Sequence, residues 1–265
     1  MDALLGDPVM FGLALGVGVL VGFILGLVGG GGSILAVPLL LYVVGVETPH
    51  IAIGTAAVGV AVNAASGLAA HARAGTVKWP CALVFSGMGI IGAFAGSSVG
   101  KAVNGDTLLG AFGIAMVLIG LWTLLPRASA DQPDVRLTRA TARELLPRLM
   151  PFGFLAGGAA GFFGIGGGFL IAPGLMAATR MPVRIAVGTS LVAVLAFGAT
   201  TAANYAASAL VNWPVAAAMI VGGFVGGAAG QKASSAAAER HNLLALIFAT
   251  LVIGVGGVIA WRSFL

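Results

Sequence analysis

Two glycine clusters carry most of the chemistry this chain can offer. Gly29 to Ser33 and Gly164 to Gly168 each interrupt a long uncharged run, about 135 residues apart. A glycine cluster between two apolar half-segments is costly in an ordinary helix, so its recurrence in matching places points to broken helices inside a membrane. Where a helix breaks, the half-helix that follows offers unpaired backbone N–H groups and the positive end of its dipole, both suited to an anion. On this reading Gly31, Gly32 and Ser33 in the first half, and Gly166, Gly167 and Gly168 in the second, cradle an anionic group. Phosphate-loop chemistry is excluded, because no Lys-Ser/Thr follows either cluster. Isolated glycines more often allow helices to pack closely, as Gly18, Gly22 and Gly26 could at four-residue spacing.

Other polar residues recur in the same duplicated order. Thr55, after Gly54, is matched by Thr189 and Ser190 after Gly188, and these hydroxyls could complete the hydrogen bonds of a bound anion. In membrane helices such hydroxyls also bond their own backbone. Asn63 and Asn204 are amides in apolar segments, where they are costly unless they face protein or water. Both are expected to look inward, as substrate contacts or as links between helices. His71, near Arg73, and Tyr205, in the matching place of the second half, complete the candidate set.

All eight acidic residues fall at segment ends, in loops, in the central charged stretch or near the N-terminus. A cation pathway lined by carboxylates and paired-carboxylate hydrolysis are both excluded on that ground. There is no His-Glu-x-x-His zinc site and no Gly-x-Ser-x-Gly elbow, so no catalytic set, metal or cofactor is expected. Single Cys81 rules out an internal disulfide and reads as a packing residue.

The positioning elements follow from composition. Of 265 residues, 59% are hydrophobic and 8% charged, too little charge for a soluble surface. Uncharged runs far longer than the roughly 20 residues of one crossing must fold back on themselves as helices. The expected fold is therefore an all-α integral membrane protein. The first half, 1–126, divides into elements at roughly 8–28, 33–46, 51–70, 79–101 and 107–126. The second, 149–265, repeats them at roughly 149–163, 168–179, 185–210, 213–231 and 242–261. Elements 33–46, 149–163 and 168–179 are short for a full span and read as half-helices or re-entrant arms. Between the halves, 127–148 is an arginine-rich linker. The apolar run at the N-terminus outlasts a signal-peptide core and reads as a retained first helix.

Five elements per half would set the two repeats upside down relative to one another. With the linker in the cytoplasm, that arrangement leaves only Lys101 and Arg262 outside with both termini, and gathers the other basic residues inside, as the positive-inside rule requires. The net charge of +5 thus reports orientation and gives no reason to expect nucleic acid. Trp79 and Trp213 read as interfacial anchors.

The glycine loop ending at Pro38, then Gly54-Thr55, then His71, Arg73, Gly75, Val77 and Trp79, repeated more weakly in the second half, resembles the TauE/SafE sulfite exporter family. The resemblance covers nearly the whole chain. It implies a permease of a bacterial or archaeal inner membrane that exports sulfite, sulfoacetate or a related organosulfur anion. Two departures make the halves unequal: Ala56 stands where the second repeat has Ser190, and Tyr205 where the first has His71. The expected function is secondary transport of a small anion by alternating access, with a passive anion channel as the alternative. The expected partners are that substrate and the lipid bilayer; the coupling ion stays open, and the glycine ridges leave room for self-association.

Overall fold

The computed structural model describes residues 8–28, 30–124, 141–164, 168–236 and 241–264. The described residues are helical throughout, with no strand. In the first half, α1 (Pro8–Val28) is followed by an irregular arm: a 3-10 turn Gly30–Leu35, one α-helical turn α2 (Ala36–Leu39) and a π-helical turn Leu40–Val44. Then come α3 (Pro49–Arg73), α4 (Trp79–Ala102) and α5 (Gly105–Leu124). The second half holds α6 (Ala142–Phe163), the short α7 (Gly168–Thr179), α8 (Val183–Ala206), α9 (Trp213–Ala236) and α10 (His241–Phe264). Among the described residues seven helices are long and apolar enough to cross a membrane: α1, α3, α4, α5, α6, α8 and α9.

Local sequence explains the boundaries. Thr48 caps α3 by accepting the Ile51 N–H at 3.3 Å, with Pro49 in the first turn where its missing N–H costs nothing. Pro80 opens α4 in the same way. The arm ends at Gly45, whose φ of +79° requires the left-handed region, and α6 ends at Gly164 with φ +67°.

One expectation is corrected. The element read as 149–163, too short to span, is α6, which starts at Ala142 and runs for 22 residues. It absorbs Glu144, Pro147 and Arg148 from what reads as linker, and Glu144 and Arg148 pair at 3.1 Å one turn apart. Hydropathy missed this turn because its charged residues face outward at the helix start. Residues 127–140 of the linker, including Arg127, Arg136 and Arg139, lie outside the described residues.

The halves interlock by exchange. Helix α1 packs along α9, α4 along α6, α3 along α8 and α5 along α10, while the opening turn of the first arm touches α7. Numbering each half's elements from one to five, first packs on fourth in both directions, and second, third and fifth each meet their counterpart.

Glycine makes the two long seams. A Cβ on Gly18, Gly22 or Gly26 of α1 would run into the backbone of Met219, Gly223 or Gly227 on α9; one on Gly153, Gly157 or Gly161 of α6 would meet Phe85, Gly89 or Ala93 on α4. In lipid no hydrophobic effect drives helices together, so backbone approach of this kind supplies the dispersion contact. The rising register shows that both pairs run parallel. Large apolar side chains such as Leu83, Ile91, Leu118, Leu155 and Val225 are exposed, as a lipid-facing surface requires. Trp79 and Trp213 are exposed at helix starts, and Cys81 is buried.

Candidate functional site

Thr55 and Thr189 lock the two halves together. Thr189 Oγ1 accepts the backbone N–H of Lys78 at 3.1 Å, and Thr55 Oγ1 accepts that of Asn212 at 2.9 Å. Thr55 and Thr189 are 134 residues apart, as are Lys78 and Asn212. Each threonine therefore holds the entry to the fourth element of the opposite half. Ser190 is also buried, its hydroxyl donating to the Val187 carbonyl at 2.8 Å. The Thr189→Val variant is expected to lose about 1–2 kcal/mol of stability by orphaning the Lys78 N–H, with substrate selectivity unchanged; thermal unfolding and competition assays on the same protein would check both halves of that statement.

These cross-links also define two ends. The α3 C-terminus, the α4 N-terminus and the α8 N-terminus meet through Lys78 with Thr189 and through the approach of Gly188 to His71 and Thr76. Arg73, Lys78 and Arg184 share this end. At the opposite end Asn212 meets Thr55, His50 Nε2 lies 3.1 Å from the Val103 carbonyl, and Gly105 packs on Pro49. Lys101 and Arg262 belong there, the latter 5.8 Å from the Tyr42 ring.

Near the arginine-rich end, α1, α3 and α9 enclose a small recess lined by Asn63, Ser66, His71 and Gln231, with glycine backbone from Gly22, Gly26, Gly223 and Gly227. Asn63 is 2% exposed, and neither atom of its amide has a hydrogen-bond partner among the described residues. An unpaired buried amide costs about 1–3 kcal/mol, so its persistence is informative. Room for it exists because position 223 has no side chain: a Cβ there would fall on the amide. Ser66 donates to the Asn63 carbonyl at 2.7 Å. The Thr76 hydroxyl lies 3.1 Å from the His71 carbonyl and 2.9 Å from His71 Nδ1, and so ties the ring to the turn that follows α3. Among the described residues no carboxylate lines the recess.

Asn63 and Asn204 do not come together. The repeat counterpart of Asn63 is Phe197, also 134 residues on, which packs against Gly89 and stacks with Phe85 at 6.3 Å. Asn204 instead bonds Lys101, its Oδ1 accepting from Nζ at 2.7 Å, and donates from Nδ2 to Ser97 at 2.6 Å. Tyr205 is fully buried, and its hydroxyl has no hydrogen-bond partner among the described residues. Gly32 tucks against the backbone of Ile24 and Leu25 on α1, which is a packing role. Gly31 lies in the opening 3-10 turn; Ser33 and Gly168 are buried beside it and at the start of α7. Gly166 and Gly167 lie outside the described residues. Gln231 was missed as a site residue, although an amide in an uncharged apolar run is the same signal that singles out Asn63.

Residues 14–259 match the family described as sulfite exporter TauE/SafE. The chain belongs to the TauE/SafE family. That is a membrane transporter family and not an enzyme family. The chain is 49% identical over 251 residues to a protein of Xylella fastidiosa strain Temecula1 named "Probable membrane transporter protein", with 95% of each chain covered. It is 28% identical over 254 residues to "Probable membrane transporter protein YunE" of Bacillus subtilis, covering 89% of this chain and 93% of that one. No solved structure matches. Membership in TauE/SafE implies a small substrate, and the spans imply a lipid bilayer around a multi-pass protein.

Proposed function

We propose that this TauE/SafE protein is a secondary transporter, acting as an exporter, of small sulfur-containing anions such as sulfite or sulfoacetate, and that it works by alternating access between two inverted halves. The observation that carries the reading is the recess at Asn63. It offers neutral donors from Asn63 and Gln231, glycine backbone on two sides and no carboxylate, which suits an oxyanion and repels none. The exchange of first and fourth elements between halves supports the inverted repeat.

Sidedness follows from charge. Arg73, Lys78 and Arg184 mark the cytoplasmic end of an inner-membrane protein, with the 127–148 linker, and Lys101 and Arg262 the outer end with both termini. The contact between the opening turn of the first arm and α7 supports a role for the two glycine loops in holding the anion from opposite sides near the bilayer middle. Thr55 and Thr189 frame that path, and their hydroxyl protons, not used in accepting the Asn212 and Lys78 N–H groups, are left to donate to the anion alongside Ser190.

The test is uptake of labelled sulfite, sulfoacetate and sulfate into liposomes containing the purified protein, with and without unlabelled anion trapped inside. Saturable uptake accelerated by trapped substrate is expected. Conductance without saturation would make the protein a passive anion channel instead, and no uptake of any of the three would remove the sulfur-anion assignment.

A further inference from the structure

Two buried hydroxyls on α8, those of Thr201 and Tyr205, are fully buried and have no hydrogen-bond partner among the described residues. Each is 134 residues beyond a recess-lining position of the first half, Gly67 and His71. Ser97 is likewise the counterpart of Gln231. The second half thus holds a twin of the recess, placed toward the opposite end and closed in this structure, with Phe197 filling the space that Asn63 occupies in the first.

A lysine sits at the mouth of this closed twin. Lys101 Nζ donates to the Asn204 carbonyl at 2.9 Å, to Asn204 Oδ1 at 2.7 Å and to Ser208 Oγ at 2.9 Å. It lies 6.0 Å from the centre of the Tyr205 ring. A Cβ on neighbouring Gly100 would lie 3.3 Å from the Tyr205 hydroxyl oxygen. The three acceptors of the ammonium are neutral, and among the described residues no carboxylate pairs with it. A cation left without a counter-ion beside unsatisfied hydroxyl donors is an arrangement that an anion completes.

We propose that Lys101, Asn204, Thr201 and Tyr205 form a second anion station, the release site at the outer end of the path, which the Lys101–Asn204–Ser208 hydrogen bonds hold shut in this state. The inference rests on the carrier reading above. When the second half opens, the ammonium exchanges Asn204 Oδ1 and Ser208 for the anion's oxygens, and the two orphaned hydroxyls gain acceptors. Phe197 stands where the recess has the Asn63 amide, so this station draws its donors from Lys101, Thr201 and Tyr205 instead. The anion is a soluble substrate and not a lipid headgroup, because the orphaned hydroxyls lie inside the helix packing and not on its lipid-facing surface.

Thiol labelling tests the station without requiring transport. In a Cys81→Ala, Ser208→Cys protein, the labelling rates of an anionic (sulfonatoethyl) and a cationic (trimethylammonioethyl) methanethiosulfonate are compared, and the ratio cancels any change in thiol reactivity. Lys101→Gln is expected to lower the anionic-to-cationic ratio on the order of tenfold, and sulfate is expected to slow the anionic reagent only when Lys101 is present. An unchanged ratio overturns the proposal, as does protection by phosphatidylglycerol in the vesicle without protection by sulfate. Ala207→Cys provides the same readout if Ser208→Cys fails to fold. Because labelling is read on non-transporting protein, its failure is distinct from failure of the liposome exchange, which would strike the carrier reading itself.

Discussion

Replacing Asn63 with leucine is expected to make the protein more stable and nearly inactive at once. Among the described residues the buried amide has no partner for either its nitrogen or its oxygen, so an apolar side chain of similar size removes a desolvation cost of about 1 kcal/mol or more. Transport should fall about tenfold to a hundredfold, the worth of one hydrogen bond to a charged group. Paired measurements of thermal unfolding in detergent and of counterflow in liposomes separate this outcome from a packing role. A variant that loses stability and keeps its transport rate would show that the amide serves only to join helices. Stability gained at the expense of function is the pattern expected where a polar group is retained for a ligand.

The second large effect concerns the seams. In the Gly157→Val variant a side chain would be driven into the backbone of Gly89, and in Gly22→Val into that of Gly223. Neither obstacle is the flexible end of a side chain, so the helices must separate along their length and lose the dispersion contact that holds them in lipid. A loss of about 3 kcal/mol or more is expected for each, seen as failure to fold or a sharply lower unfolding temperature. Gly12 and Gly16 have nothing within 4 Å of an added Cβ, and substituting either is expected to leave stability nearly unchanged. Similar losses at all four positions would sink the account of the seams.

The same glycines show how far sequence reading reaches. Four-residue spacing made Gly18, Gly22 and Gly26 legible as a packing face, because spacing along one helix is a local property. Nothing local shows which helix lies opposite, and the partner α9 emerged only from the fold. Thr55 and Thr189 illustrate the limit more sharply. Their duplication was plain, but nothing local shows that their hydroxyl oxygens accept backbone N–H groups from residues 157 and 111 positions away and so also clasp the halves together. Asn63 and Asn204 look like a pair by residue type, whereas the 134-residue offset of the repeat matches Asn63 with Phe197, and the fold gives Asn204 to Lys101.

What the sequence determined by itself is the duplicated order of elements, the apolar spans, the bias of basic residues and the lack of a carboxylate within them. These are one-dimensional quantities, and a bilayer converts them directly into structure because every backbone polar group in it must be satisfied within a helix. What only the tertiary structure decided is which glycines face which carbonyls, that one recess is open while its twin is closed by Phe197 and the Lys101 cluster, and that Gln231 joins Asn63. Those outcomes depend on contacts between helices far apart along the chain, where a single missing side chain, as at Gly223, decides whether an amide has room to stand unpaired.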